Sequence, residues 1–94
     1  MARLGSAEDR GYLEKRAFAR VLMALREERA MTQETLAFDS GYHPKYISLL
    51  ERGKYSPSLT AILEISNALH ISAADLVRRV ESLLPSNRRR RQER

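Results

Sequence analysis

The side chains best suited to chemistry in this sequence lie on one side of a short helical segment, residues 44–52. At about 100° per residue, a helix here separates a polar side from an apolar one. The polar side carries two cations, a hydroxyl and an aliphatic group, in Lys45, Arg52, Ser48 and Leu49. Ile47, Leu50 and Glu51 share the opposite side. A helix this short with two such sides is expected to have one side in a core, and its other side can meet base edges and phosphates.

The residues around this segment predict two short helices joined by a turn. Thr32 is a favourable N-cap for the first helix. Gly41 follows that helix where a left-handed residue would end it without a Cβ clash. His43-Pro44 opens the second helix, because proline suits the first helical position, and Gly53 ends it.

The spacing of these turn and core positions resembles that of the XRE-type helix-turn-helix family, which includes phage repressors and small bacterial regulators. The matching residues are Gln33, Ala37, Gly41, Ile47 and Leu50, followed by Glu51-Arg52-Gly53-Lys54 and Pro57-Ser58-Leu59. The resemblance covers about residues 22–76. It implies a sequence-specific regulator that binds double-stranded DNA, with the second helix of the motif in the major groove.

The resemblance also implies two sets of DNA contacts. The residues expected to meet bases are Lys45, Ser48, Leu49, Pro44 and Tyr46. Those expected to meet phosphates are Thr32, Gln33, His43, Arg52, Lys54 and Tyr55. Lys45 is the leading candidate for base reading, since an ammonium can donate to guanine N7 and O6, although a phosphate contact is the alternative. Proline has no polar side chain to read a base, so Pro44 shifts readout towards Lys45 or towards DNA shape.

Several of these residues have a second interpretation. Gln33 can bond a phosphate or brace the reading helix, and Tyr46 can meet a base or cover the edge of the core. His43 is expected to cap a helix or lie near a phosphate. Arg26 and Glu51 match family positions that form a partly buried ion pair, which would serve structure rather than readout.

The positions of apolar residues predict an all-α fold with a long first helix over residues 12–29, and the family resemblance implies a five-helix bundle of the repressor type. Two further helices are expected over residues 59–69 and 73–84, capped by Ser58 and Ser72. His70 stands where the family often has glycine, and histidine tolerates the positive φ of a helix stop. The domain organisation predicted is a flexible arm over 1–10, the DNA-binding domain over 11–84 and a basic disordered tail over 85–94.

The last helix carries more apolar residues than one core needs. Leu76 and Val77 can finish the core of the monomer, whereas Val80, Leu83 and Leu84 lie beyond it. The sequence therefore predicts a homodimer whose interface uses Val80, Leu83, Leu84 and Leu76.

Composition and charge limit the other functions and cellular locations open to this chain. Of the formal net charge of +5, residues 85–94 carry +4, so DNA binding by the body has to rest on local patches. No cysteine is present, and neither a signal peptide nor a membrane span is evident, which favours the cytoplasm. We find no arrangement for an enzyme, a cofactor, a small-molecule ligand or a metal. The alternative function is a protein-interaction adaptor or an antitoxin with the same fold. An adaptor would show no steep salt-dependent binding to duplex DNA.

Overall fold

Five α-helices make up the part of the chain that the structure, a computed structural model, describes: the backbone of residues 7–85 and the side chains of residues 11–85. In order they are α1 (Ala7–Glu28), α2 (Gln33–Ser40), α3 (Pro44–Glu51), α4 (Leu59–Ala68) and α5 (Ala73–Ser82). Residues 7–85 contain no strand, and the predicted all-α class is confirmed. None of these helices combines the length and the apolar character needed to cross a bilayer.

The first helix begins earlier than expected. It starts at Ala7 rather than at residue 12, so the prediction of a flexible arm over 1–10 is wrong for residues 7–10. Alanine and glutamate favour helices and carboxylates favour a first turn, and the single Gly11 costs only about 1 kcal/mol within a helix. The rest of the predicted arm, residues 1–6, and residues 86–94 of the predicted tail lie outside the described residues.

Hydroxyl caps start three of the helices at the predicted positions. The hydroxyls of Thr32, Ser58 and Ser72 each accept from the backbone N–H three residues on, at 3.0 Å. Gly41 and His70 end α2 and α4 with φ of 85° and 59°. Ala30 also has a positive φ, 55°, after α1, a position that its residue type did not announce.

The core draws on all five helices. Its fully buried large side chains are Leu22, Leu25, Leu36, Ile47, Leu50, Ile65, Leu69 and Leu76. α3 packs against both α1 and α2, while α5 packs against α1 and α4. The helix that carries the polar side chains of interest is thus packed against two neighbouring helices.

The last two helices expose a different set of apolar residues than the sequence predicted. Leu76, expected at a dimer interface, is fully buried, so it has no surface left for a partner; the inward side of α5 needs it to close the core. Val77, expected to finish that core, is 43% exposed, and Val80 packs partly against the core. Leu83 is 44% exposed, as a partner surface would require. On α4, Leu63 is 52% exposed.

Candidate nucleic-acid interface

The start of α3 is fixed by two neighbouring residues. His43, with extended backbone at φ −75° and ψ 143°, accepts a hydrogen bond through Nδ1 from the N–H of Lys45 at 3.0 Å. Pro44 occupies the first helical turn, where its missing N–H leaves no bond unmade. His43 therefore serves as an N-cap, one of the two roles predicted for it.

The two sides of α3 differ in burial as the sequence pattern predicts. Ile47, Leu50 and Glu51 are buried. On the opposite side Lys45 and Arg52 are exposed, and Ser48 and Leu49 are half-buried. The groups with hydrogen-bonding capacity thus remain open to a partner, while the aliphatic groups hold the helix in place.

A cluster of charged and polar side chains anchors the back of α3. Glu51 accepts from Arg26 Nε at 2.7 Å and from Arg26 Nη2 at 3.0 Å, an ion pair between α1 and α3. Arg26 Nη1 donates to the carbonyl of Met31 at 2.8 Å. The pair is largely buried, with side-chain exposures of 15% for Arg26 and 4% for Glu51. The hydrogen bond to Glu51 raises the pKa of Arg26.

Gln33 joins the same cluster from the start of α2. Its Nε2 donates to Glu51 Oε1 at 2.8 Å, so one carboxylate links α1, α2 and α3. This is the bracing role proposed for Gln33 from the sequence. Its amide has a second N–H, and the predicted phosphate contact stays a prediction.

Two tyrosines support the other end of α3. The rings of Tyr42 and Tyr46 lie 4.9 Å apart between centroids, and both pack against the core. Hydrogen bonding to the Glu64 carboxylate on α4, together with burial, raises the pKa of Tyr42 to about 12. Burial raises the pKa of Tyr46. Tyr46 therefore covers the core edge, and a base contact by it stays a prediction.

The remaining predicted contacts are spread around α3. Lys54 and Tyr55 are exposed in the loop that follows it. Thr32 caps α2, and its hydroxyl also bonds the hydroxyl of Thr35 at 3.0 Å. These residues and Gln33 flank α3, so the structure places the two predicted sets on neighbouring elements.

Sequence reasoning missed a basic pocket beside the end of α3. Arg16 and Arg20 of α1 line it together with Arg52, and its volume is about 130 Å³. A signal was present, because neither Arg16 nor Arg20 has a carboxylate three or four residues away, where helical neighbours meet.

Comparison with known proteins decides the family. A family model described as helix-turn-helix matches residues 22–76. The chain belongs to the XRE-type helix-turn-helix family. The match contains α2, α3 and α4 in full, together with all three residues of the Arg26–Glu51–Gln33 cluster.

Individual helix-turn-helix relatives support this family assignment. An uncharacterized HTH-type transcriptional regulator of Sinorhizobium fredii, y4dJ, is 40% identical over 53 residues, which are 56% of this chain and 69% of the relative. The crystal structure of the restriction-modification controller protein C.AhdI from Aeromonas hydrophila has a TM-score of 0.67 at 38% identity, covering 69% of this chain and 98% of that one. The controller protein C.Esp1396I, solved as a tetramer in complex with its natural 35 base-pair operator, has a TM-score of 0.69 at 26% identity over 74% of this chain and 92% of that one.

These matches assign the chain to a functional class. The helix-turn-helix relatives are DNA-binding transcription regulators and controller proteins. The chain is therefore a DNA-binding transcription regulator and not an enzyme.

Proposed function

We propose that this protein binds a near-palindromic operator as a homodimer in the cytoplasm, with α3 of each copy in the major groove. The observation that carries the proposal is the division of α3. Its back is bonded to α1 and α2 through Glu51, and its front presents Lys45, Ser48, Leu49 and Arg52. A helix held in one orientation can present the same groups to the same base edges each time it binds.

The contacts follow from the positions of the side chains. Lys45 stands at the start of α3, the end that enters the groove in helix-turn-helix docking, and is the residue we expect to read a base. Ser48 and Leu49 lie one turn further on, where a hydroxyl and a methyl contact are the chemistry available. Thr32 and Gln33, at the start of α2, and Lys54 and Tyr55, after α3, are expected to fix the register on phosphates.

Two copies are needed because one α3 of eight residues meets few base pairs. A dimer places its two reading helices about 34 Å apart, on successive faces of the major groove. The operator complex of C.Esp1396I, in which several copies share one duplex, supports an oligomeric mode of binding. In this chain the exposed Leu83 at the end of α5 and the half-buried Leu84 beside it supply the apolar surface.

The experiment that tests the operator is selection of bound duplexes from a random pool, with the full chain. We expect enrichment of a repeated half-site with two-fold symmetry and a spacing of one helical turn. Enrichment of a single unrepeated half-site would contradict the dimeric mode, and absence of any enriched sequence would contradict sequence-specific binding.

The interface is tested by substitution of Leu83. We expect Leu83→Glu to yield monomers in sedimentation and to weaken operator binding, because a carboxylate does not transfer into an apolar contact without a partner. Leu63→Glu on α4 is the matched control, since Leu63 is similarly exposed. If Leu63→Glu separates the copies and Leu83→Glu does not, the interface lies on α4 instead.

A further inference from the structure

The arginines of the described part of the chain fall into two groups. Four of the seven with described side chains form ion pairs: Arg26 with Glu51, Arg29 and Arg79 with Glu28, and Arg78 with Asp75. The other three, Arg16, Arg20 and Arg52, form no ion pair with any acidic side chain among residues 11–85. Arg16 instead lies over the ring of Tyr12, 5.5 Å from its centroid.

The three unpaired arginines all line the same pocket. It lies between α1 and the end of α3, with Ala19, Glu51 and Gly53 as the other lining residues. Glu51 does not neutralise them, because its two oxygens already accept from Arg26 and Gln33. Like charges gathered without a counter-charge raise the energy of the protein alone, and an anion in the pocket would remove that cost.

Backbone packing holds the pocket in shape. Gly53 has a φ of +71°, and the position of a Cβ there would be 3.9 Å from the carbonyl oxygen of Lys15 and 3.8 Å from Cγ of Arg16. The loop after α3 therefore lies directly against α1. This contact keeps Arg52, the residue before Gly53, beside the arginines of α1 rather than on a loose segment.

We propose that this pocket binds a backbone phosphate of the duplex that α3 reads, an inference that rests on the proposed function. Arg52 belongs both to the front of α3 and to the pocket, so the phosphate belongs to the strand bordering the groove at the far end of α3. Guanidinium groups suit this ligand, since their N–H groups match phosphate oxygens in pairs. Arg16 and Arg20 precede residue 22, where the family match begins, so α1 extends the DNA contact of this chain beyond the matched motif.

The test compares the salt dependence of duplex binding by the full chain and by Arg16→Gln, Arg20→Gln and the double variant, on a duplex recovered by selection. Each lost phosphate contact should reduce the slope of log affinity against log salt by about 0.9. Between about 50 and 200 mM salt, the fold-loss of affinity should then be about threefold to fourfold smaller for each contact removed. Preference for the selected duplex over a scrambled one should not change, because phosphates carry no sequence information. Arg16→Lys and Arg20→Lys should retain most of the slope.

The control is Arg78→Gln, which removes the same charge from an exposed pair on α5. A slope for the double variant equal to that of the natural chain, or an equal loss in Arg78→Gln, would overturn the proposal. Titration with inorganic phosphate and pyrophosphate tests whether the pocket binds a free phosphate ion rather than a phosphate of the duplex. Tight binding of either, with the duplex slope unchanged in the double variant, would make the pocket a small-anion site instead. If the natural chain bound no duplex at all, the proposed function itself would fail, a result distinguishable from each of these.

Discussion

The two ends of α3 are held by different kinds of interaction. At its start, the rings of Tyr42 and Tyr46 pack together and the Tyr42 hydroxyl bonds Glu64. At its end, Glu51 bonds Arg26 and Gln33 in a largely buried charged cluster. Aromatic packing sets the distance of the helix from the core, whereas directional bonds to one carboxylate also fix its rotation. The comparison indicates that rotation of α3 is controlled from its end, away from Lys45, the residue proposed to read a base.

The largest expected effect comes from breaking the cluster at the end of α3. Glu51→Ala leaves the guanidinium of Arg26 without its carboxylate and Gln33 without its acceptor. Loss of one partner of a buried pair costs about 3–5 kcal/mol, and we expect the lower part of this range because Arg26 is 15% exposed. The free energy of unfolding in urea measures it.

Two controls sharpen this prediction. Arg78→Gln breaks an exposed pair and should cost less than about 1 kcal/mol. Arg26→Met combined with Glu51→Ala removes both charges, so the double variant should be more stable than the sum of the single losses predicts. Additive losses would mean that the two side chains act separately.

The next effect concerns the start of α3, where we expect function to be affected more than stability. Lys45 is exposed, and the bond that it gives to His43 uses its backbone N–H, so Lys45→Ala should leave unfolding almost unchanged. Operator affinity should fall by about 1–3 kcal/mol, with relaxed preference at one base position. Lys54→Ala, in the loop after α3, should weaken selected and scrambled duplexes alike. If Lys45→Ala also weakens both equally, Lys45 is a phosphate contact.

Much of this arrangement could be predicted because local chemistry decides it. Thr32, Ser58 and Ser72 cap helices through their own hydroxyls, and Gly41 and His70 take the positive φ that their residue types permit. The separation of α3 into a buried side and an exposed side follows from the helical period alone. The Arg26–Glu51 pair joins residues 25 apart in the chain, and it was expected only through the family resemblance.

What the sequence did not predict depends on packing between distant segments. Periodicity assigned Leu76 both to the core and to a partner surface, and the approach of α5 to α1 and α4 decides for the core. The pocket of Arg16, Arg20 and Arg52 forms because the loop at Gly53 lies against α1. The bond from Arg29 Nε to the carbonyl of Leu69, 2.5 Å, likewise joins the ends of α1 and α4.

The smallest expected effect tests the contact between Tyr42 and Glu64 near the start of α3 by its pH dependence. Because the bond to Glu64 raises the pKa of Tyr42 to about 12 in the folded protein, against 10.0 for an unperturbed tyrosine, the folded state holds this proton more tightly. Its contribution to stability is therefore complete below pH 10 and is lost as the pH rises through 12. The difference in tyrosinate absorbance between the natural chain and Tyr42→Phe isolates this titration. Glu64→Ala should lower the pKa of Tyr42 towards 10, whereas Glu34→Ala, at the other end of α2, should leave it unchanged. A lower pKa in both variants would mean that net charge, rather than the bond between Tyr42 and Glu64, raises it.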